Sequence, residues 1–236
     1  MQRVMVAVPA LNEASTVAEV VRQAVDALPT AHIVVVDDGS ADGTAAIAGA
    51  AGAVVLRLPF NVGVGGALRT AFLYAKAHDF DAVLQVDADG QHDPVQATRL
   101  LGALDNASVV VGSRFLDADS YSVPAMRRFT MRVVGWLVSR VTGTTLTDTT
   151  SGFRAADRRA IELFAEHYPA EYLGDTIESL VLAHRAGLSI AEVPVSMQIR
   201  QGGNPSQDPF RSVLYLSRAL LALVLATSRP VPRGSA

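Results

Sequence analysis

His32-Ile33-Val34-Val35-Val36-Asp37-Asp38-Gly39-Ser40 is the stretch that decides the fold. Four consecutive β-branched apolar residues, with no polar alternation, suit a strand covered on both faces, as in a parallel sheet. The run stops abruptly at two carboxylates, a glycine and a serine, all turn formers, and a helix is expected from about Asp42. The same layout recurs on either side. Upstream, Val4 to Val8 closes at Pro9, after which Asn12 and Ser15 offer caps for a helix to about Leu28. That helix has Val17, Val20, Val21, Ala24 and Leu28 on one face. Downstream, Ala53 to Leu58 is followed by a glycine-rich turn, Asn61 to Gly66, and a helix to about His78. Ala82 to Val86 then ends in Asp87-Ala88-Asp89, Pro94 opens a further helix, and Ser108 to Val111 is a fifth strand.

Strands alternating with helices build βαβ units around a mainly parallel, Rossmann-like α/β sheet flanked by helices. Ligands of such sheets bind beyond the carboxyl ends of the strands. Asn12-Glu13, Asp37-Asp38 and Asp87-Ala88-Asp89 all fall there. The second half is less regular. It reads as a helix from Pro124 to Thr142, a polar loop from Thr147 to Phe153, a helix from Asp175 to Ala186 stopped by Gly187, and a strand from Ser189 to Val195. One domain is expected over residues 1–205, followed by an apolar helix within 206–228 and a tail, 229–236, that ends in a vector-like Val-Pro-Arg-Gly-Ser-Ala.

Composition narrows the function. Half of the 236 residues are hydrophobic and 18% are charged, enough apolar mass for a large core. The net charge of −3 advertises no nucleic-acid partner. There is no cysteine, which removes disulfides, thiolate metal sites and cysteine nucleophiles. The N-terminus lacks the layout of a secretory signal, and no run of about 20 uncharged apolar residues predicts a membrane span.

The chemistry concentrates on Asp87 and Asp89. Two carboxylates flanking one residue at a rigid strand end can share a hard cation, with Gln91 adding a neutral oxygen. Mg²⁺ and Mn²⁺ prefer oxygen ligands and keep positions open for phosphate. Asp37-Asp38-Gly39-Ser40 reads as an Asx-type turn, or as a carboxylate that accepts hydrogen bonds from a base or ribose. Asn61-Val62-Gly63-Val64-Gly65-Gly66 is either a phosphate-facing helix start or simply a tight turn. It follows the third strand, so it is not the dinucleotide fingerprint.

Six motifs then occur in order: Pro9-Ala10-Leu11-Asn12-Glu13, Val36 to Thr44, Asn61-Val62-Gly63, Asp87-Ala88-Asp89-Gly90-Gln91-His92, Gly112-Ser113-Arg114-Phe115 and Ser151-Gly152-Phe153-Arg154. Together they resemble family 2 glycosyltransferases of the GT-A fold, most closely the dolichol- or polyprenyl-phosphate mannose synthase branch, over residues 3 to about 200. The resemblance implies a nucleotide site made by Pro9, Leu11, Glu13, Val36, Asp38, Gly63, Asp87 and Ala88, with Arg200 closing over the diphosphate. It implies Mg²⁺ or Mn²⁺ on Asp87, Asp89 and Gln91. Arg114 would bridge donor and acceptor phosphates, assisted by Arg128. The chain departs from the branch at Leu11, where tyrosine is frequent, and at Ser206, where a lysine is usual. The sugar and the base, GDP- or UDP-linked, therefore stay open.

Two acceptors are compatible with this reading. A polyprenyl phosphate is already an anion and needs cations rather than a base; Arg114, Arg128, Arg132 and Arg154 are the candidates. A hydroxyl of a cell-envelope glycan needs a general base, for which Asp175 is the candidate, although it also suits a helix cap. Asp148 would position Arg154 or cap a loop. The apolar helix with Val213, Leu216, Leu220, Leu221 and Leu223 is expected either to pack within the fold or in a homodimer, or to lie in a membrane interface. The expected location is cytoplasmic, peripheral on the inner face of the plasma membrane for a lipid acceptor.

Overall fold

The computed structural model describes residues 2–116, 125–170 and 175–196, with the side chains of 125–130 left aside. The expected helix at 206–228, the tail and Arg200 lie outside the described residues.

Seven strands form one sheet: β1 (Val4–Ala10), β2 (His32–Asp37), β3 (Val54–Arg57), β4 (Ala82–Gln85), β5 (Val109–Ser113), β6 (Arg154–Asp157) and β7 (Ile190–Pro194). Their order is β3-β2-β1-β4-β6-β5-β7. β6 runs antiparallel to both β4 and β5, and every other pairing is parallel. Two reversals through β6 return β5 to the direction of β4. The carboxyl ends of β1, β2, β4 and β5 and the amino end of β6 therefore share one edge.

Alternate strand residues feed two cores, as the pleat requires. Met5, Ala7, Val34 and Val36 face one side, where they meet Leu68 and Phe72 of α3 (Val64–Ala77), Val134 and Val138 of α5 (Ala125–Thr142), Phe164 of α6 (Arg158–His167) and Leu180 of α7 (Asp175–Arg185). Val6, Val8, Ile33 and Val35 face the other. There they meet Val17, Val20 and Val21 of α1 (Val17–Ala27), Ala48 of α2 (Thr44–Ala50) and Leu100 of α4 (Ala97–Ala103).

Three local readings need correction. α1 starts at Val17, after Thr16, with no side-chain cap; Asn12 instead takes a left-handed φ of 55° and exchanges hydrogen bonds with the Ser40-Ala41 loop. Pro94 begins a short 3-10 turn, capped by Asp93, before α4. β6 and α6 were not foreseen: Arg154-Ala155-Ala156-Asp157 has too little apolar bulk to read as a strand, and pairing on both edges creates it.

Gly65, at the start of α3, lets the 168–170 segment close on that helix: a Cβ there would stand 2.1 Å from the Pro169 carbonyl oxygen. Gly65→Ala is expected to destabilise the protein by at least about 1–3 kcal/mol, the usual cost of overpacking, read as a lowered urea midpoint at unchanged m-value.

Candidate active site

The site edge is built from loops tied to one another by side chains. Asp38 is 3% exposed; its Oδ1 accepts the Val62 amide at 2.8 Å and its Oδ2 the Gly63 amide at 2.9 Å. Gly39, at φ 75°, permits this closeness, because a Cβ would meet the Phe60 carbonyl carbon at 2.7 Å. Asp38 thus clamps the glycine loop, with both carboxylate oxygens engaged by backbone. The Ser40 hydroxyl accepts the Asn12 amide, Asn12 Oδ1 accepts the Ala41 amide, and the Thr44 hydroxyl accepts the Glu13 amide, each at 2.9 Å. Pro9 and Glu13 are half-buried at this edge and Leu11 is exposed. Val36 is fully buried among core residues. Its side chain packs the sheet, so the expected contact with a base would fall to its backbone.

Asp87, Asp89 and Gln91 follow β4 and are partly exposed, whereas Ala88 between them is buried. Asp89 Oδ1 accepts the Gln91 amide at 3.0 Å, closing a tight turn. Gly152 packs directly on Asp87: a Cβ there would stand 2.8 Å from both carboxylate oxygens. Among the described residues, no three carboxylate or histidine side chains are grouped to hold a metal ion. A cation here would take at most two carboxylates from among the described residues. That suits a small hard ion that completes its shell with amide, phosphate and water oxygens.

On the neighbouring side of the edge, Arg114 follows β5. Its Nε donates to Asp148 Oδ2 at 2.6 Å and its Nη2 to Asp148 Oδ1 at 2.8 Å and to the Thr150 hydroxyl at 2.7 Å. The pair is deeply placed, with side-chain exposures of 11% and 0%. Burial pushes the Asp148 carboxyl up, but the hydrogen bonds and charge of Arg114 outweigh it and hold it below the usual carboxylate range. Asp148 is itself aimed by Glu192 of β7, whose carboxylate accepts the amides of Thr147 and Asp148 at 2.8–2.9 Å. Burial pushes the Glu192 carboxyl up. Asp148 therefore holds Arg114, and the expected Asp148–Arg154 pairing is corrected. The role of Glu192 was not foreseen; a lone acid inside the apolar strand Ile190-Ala191-Glu192-Val193 was its only signal.

Arg154 is 7% exposed. It donates to the carbonyls of Ser151, Thr176 and Thr149 and to the Ser179 hydroxyl at 2.8–3.0 Å. With its donors spent on the polar loop and α7, it is a structural post, and its expected place among the acceptor's cations is corrected. Arg132 is exposed on α5; the side chain of Arg128, on the same helix, lies outside the described residues. Asp175 opens α7. Burial pushes its carboxyl up, against the lowering effect of Arg154, and Asp87 adds to the rise.

The family described as Glycosyl transferase family 2 matches residues 5–164 of this chain. The undecaprenyl-phosphate mannosyltransferase of Micrococcus luteus is 33% identical over 210 residues, covering 85% of this chain and 86% of the relative. The polyprenol monophosphomannose synthase of Mycolicibacterium smegmatis is 30% identical over 211 residues, covering 86% and 80%. In the solved structures, glucosyl-3-phosphoglycerate synthase from Mycobacterium tuberculosis, in complex with Mn²⁺, uridine diphosphate and phosphoglyceric acid, aligns with a TM-score of 0.69 at 21% identity, covering 97% of this chain and 80% of that one.

Removing one member of a buried ion pair leaves the other charge uncompensated. Asp148→Asn is expected to cost about 3 kcal/mol of stability, measured by chemical denaturation. Because the folded carboxyl lies below its unfolded value, the wild-type advantage is present above pH 3.8 and shrinks as pH falls through the folded value.

Proposed function

The chain belongs to glycosyl transferase family 2, and on that premise we propose that it transfers a hexose from a nucleotide-diphosphate sugar to a polyprenyl phosphate, with inversion and with Mg²⁺ or Mn²⁺. The observation that carries this reading is the juxtaposition, along one sheet edge, of the Asp87/Asp89 carboxylates after β4 with the pre-aimed Arg114 after β5. The named activities of the Micrococcus and Mycolicibacterium relatives support the lipid-phosphate acceptor. The Mn²⁺ and uridine diphosphate of the mycobacterial complex agree with a metal and a nucleotide donor.

Asp87, Asp89 and Gln91 would hold the cation, which when bound neutralises charge developing on the departing diphosphate. Pro9, Leu11 and Glu13 line the nucleotide, and Asp38 keeps the Val62-Gly63 loop in place beside it. An acceptor phosphate oxygen attacks the anomeric carbon from the face opposite the diphosphate. The new carbon–oxygen bond forms as the bond to the β-phosphate breaks, and its electron pair leaves with the nucleotide. The acceptor is already an anion, so no proton need be removed. Arg114, with Arg128 and Arg132, supplies cations that align it; Arg200 is proposed to close over the diphosphate.

α5 suits an acceptor carried by a lipid. It bears four arginines and no acid. Trp136, the chain's one tryptophan, is 62% exposed, with Arg132 and Arg140 exposed one turn to either side. Tryptophan and arginine at such spacing favour an anionic membrane interface, which would place the enzyme on the cytoplasmic face of a membrane. Among the described residues, no helix is long and apolar enough to cross one.

A donor that binds the native state raises the melting temperature. One of GDP-mannose, UDP-glucose or UDP-N-acetylglucosamine is expected to do so with Mn²⁺, and EDTA or Asp89→Asn to abolish the shift. A second reading, transfer to a glycan hydroxyl, is favoured by the raised pKa of Asp175 beside Asp87. Asp175→Asn separates the two. A lipid-phosphate enzyme is expected to keep its kcat within a few-fold, whereas loss of a general base costs roughly 10²–10⁴-fold.

A further inference from the structure

His92 closes the Asp87-Ala88-Asp89-Gly90-Gln91-His92 motif, and the mechanism above leaves it without a task. It is 3% exposed. Its Nδ1 accepts the backbone amide of Asp87 at 2.9 Å. A backbone amide only donates, so Nδ1 carries no proton and the ring hydrogen sits on Nε2. That Nε2 stands 3.5 Å from Asp87 Oδ2. The ring cannot swing aside, because it stacks on the buried Phe153 at 4.9 Å between centroids and 16° between planes. Gly152, the residue before Phe153, borders the same carboxylate, and any Cβ there would collide with it.

We infer that His92 is a positioning residue for Asp87: held as its Nε2–H tautomer against Phe153, it fixes the carboxylate's orientation toward a bound cation. The inference rests on the metal reading proposed above. The backbone amide of Asp87 sets the tautomer, and the tautomer faces a donor toward the side chain of the same residue. A single imidazole thus touches both the main chain and the carboxylate of one residue, accepting the amide at 2.9 Å and standing 3.5 Å from the carboxylate. Donors behind a ligating carboxylate limit its rotation and leave its remaining lone pairs to the metal. A bulkier residue at 152 would push the carboxylate out of this slot, so the polar loop contributes a wall that only glycine can form.

The test uses the full chain and two readouts. Long-range proton–nitrogen correlation spectra of the metal-free protein are expected to show a protonated Nε2 and an unprotonated Nδ1 for His92; the opposite tautomer overturns the inference. Mn²⁺ binding is then followed by loss of the free-ion electron paramagnetic resonance signal, with UDP or GDP present. His92→Phe keeps the stack and loses both nitrogens, and is expected to weaken Mn²⁺ binding roughly 10- to 100-fold. His92→Gln, which returns an N–H near the Nε2 position, is expected to recover most of the affinity. His92→Asn, which returns only an acceptor near Nδ1, is expected to stay weak. Wild-type affinity in the phenylalanine variant, or equal recovery by asparagine and glutamine, overturns the positioning role alone. Absence of Mn²⁺ binding by the wild type, whatever the tautomer, overturns the metal reading and this inference with it.

Discussion

Loops at the sheet's carboxyl edge carry backbone amides that no ladder partner satisfies, and here buried and half-buried carboxylates accept them. Asp38 takes Val62 and Gly63, and Glu192 takes Thr147 and Asp148. A charged acceptor makes each such bond stronger than a neutral one, and the low-dielectric surroundings raise the cost of losing it. The second of these ties, at Glu192, continues through Asp148 to the half-buried Arg114, whose guanidinium it orients.

The two arginines at this edge show how burial divides labour between identical side chains. Arg154 spends its donors on three carbonyls and a hydroxyl and fastens the polar loop to α7. Arg114 is bound bidentately to Asp148 and stays partly exposed. The bidentate grip sets the plane of the Arg114 guanidinium. The order of dependence runs from Glu192 through the Thr147-Asp148 amides and Asp148 to Arg114. A change on β7, remote in sequence, therefore reaches a residue aimed at the ligand edge.

The strand-helix alternation of the first half was plain in the sequence, because runs such as Ile33-Val34-Val35-Val36 and the turn residues after them act locally. The strand end and tight turn that carry Asp87, Asp89 and Gln91 were readable for the same reason, since they lie within a few residues. Arg154 was misread: it sits in a motif at the sheet's carboxyl edge, and only burial shows that its donors are spent on the polar loop and α7. His92 and Glu192 act across 5 and 45 residues respectively, and the second separation leaves no local signal beyond a lone acid in an apolar strand.

The sequence by itself determined the α/β class, the family and the polar loops at the sheet's carboxyl edge, since these follow from short-range periodicity and ordered motifs. The tertiary structure decided which polar side chains in those loops are spent on backbone and which remain available. It placed β6 between β4 and β5, brought Gly152 against Asp87, and set Asp148 on Arg114 rather than on Arg154. The physical reason is that a buried donor or acceptor must be satisfied by whatever group the packing brings within reach. That reach is a property of distances between elements and not of spacing along the chain.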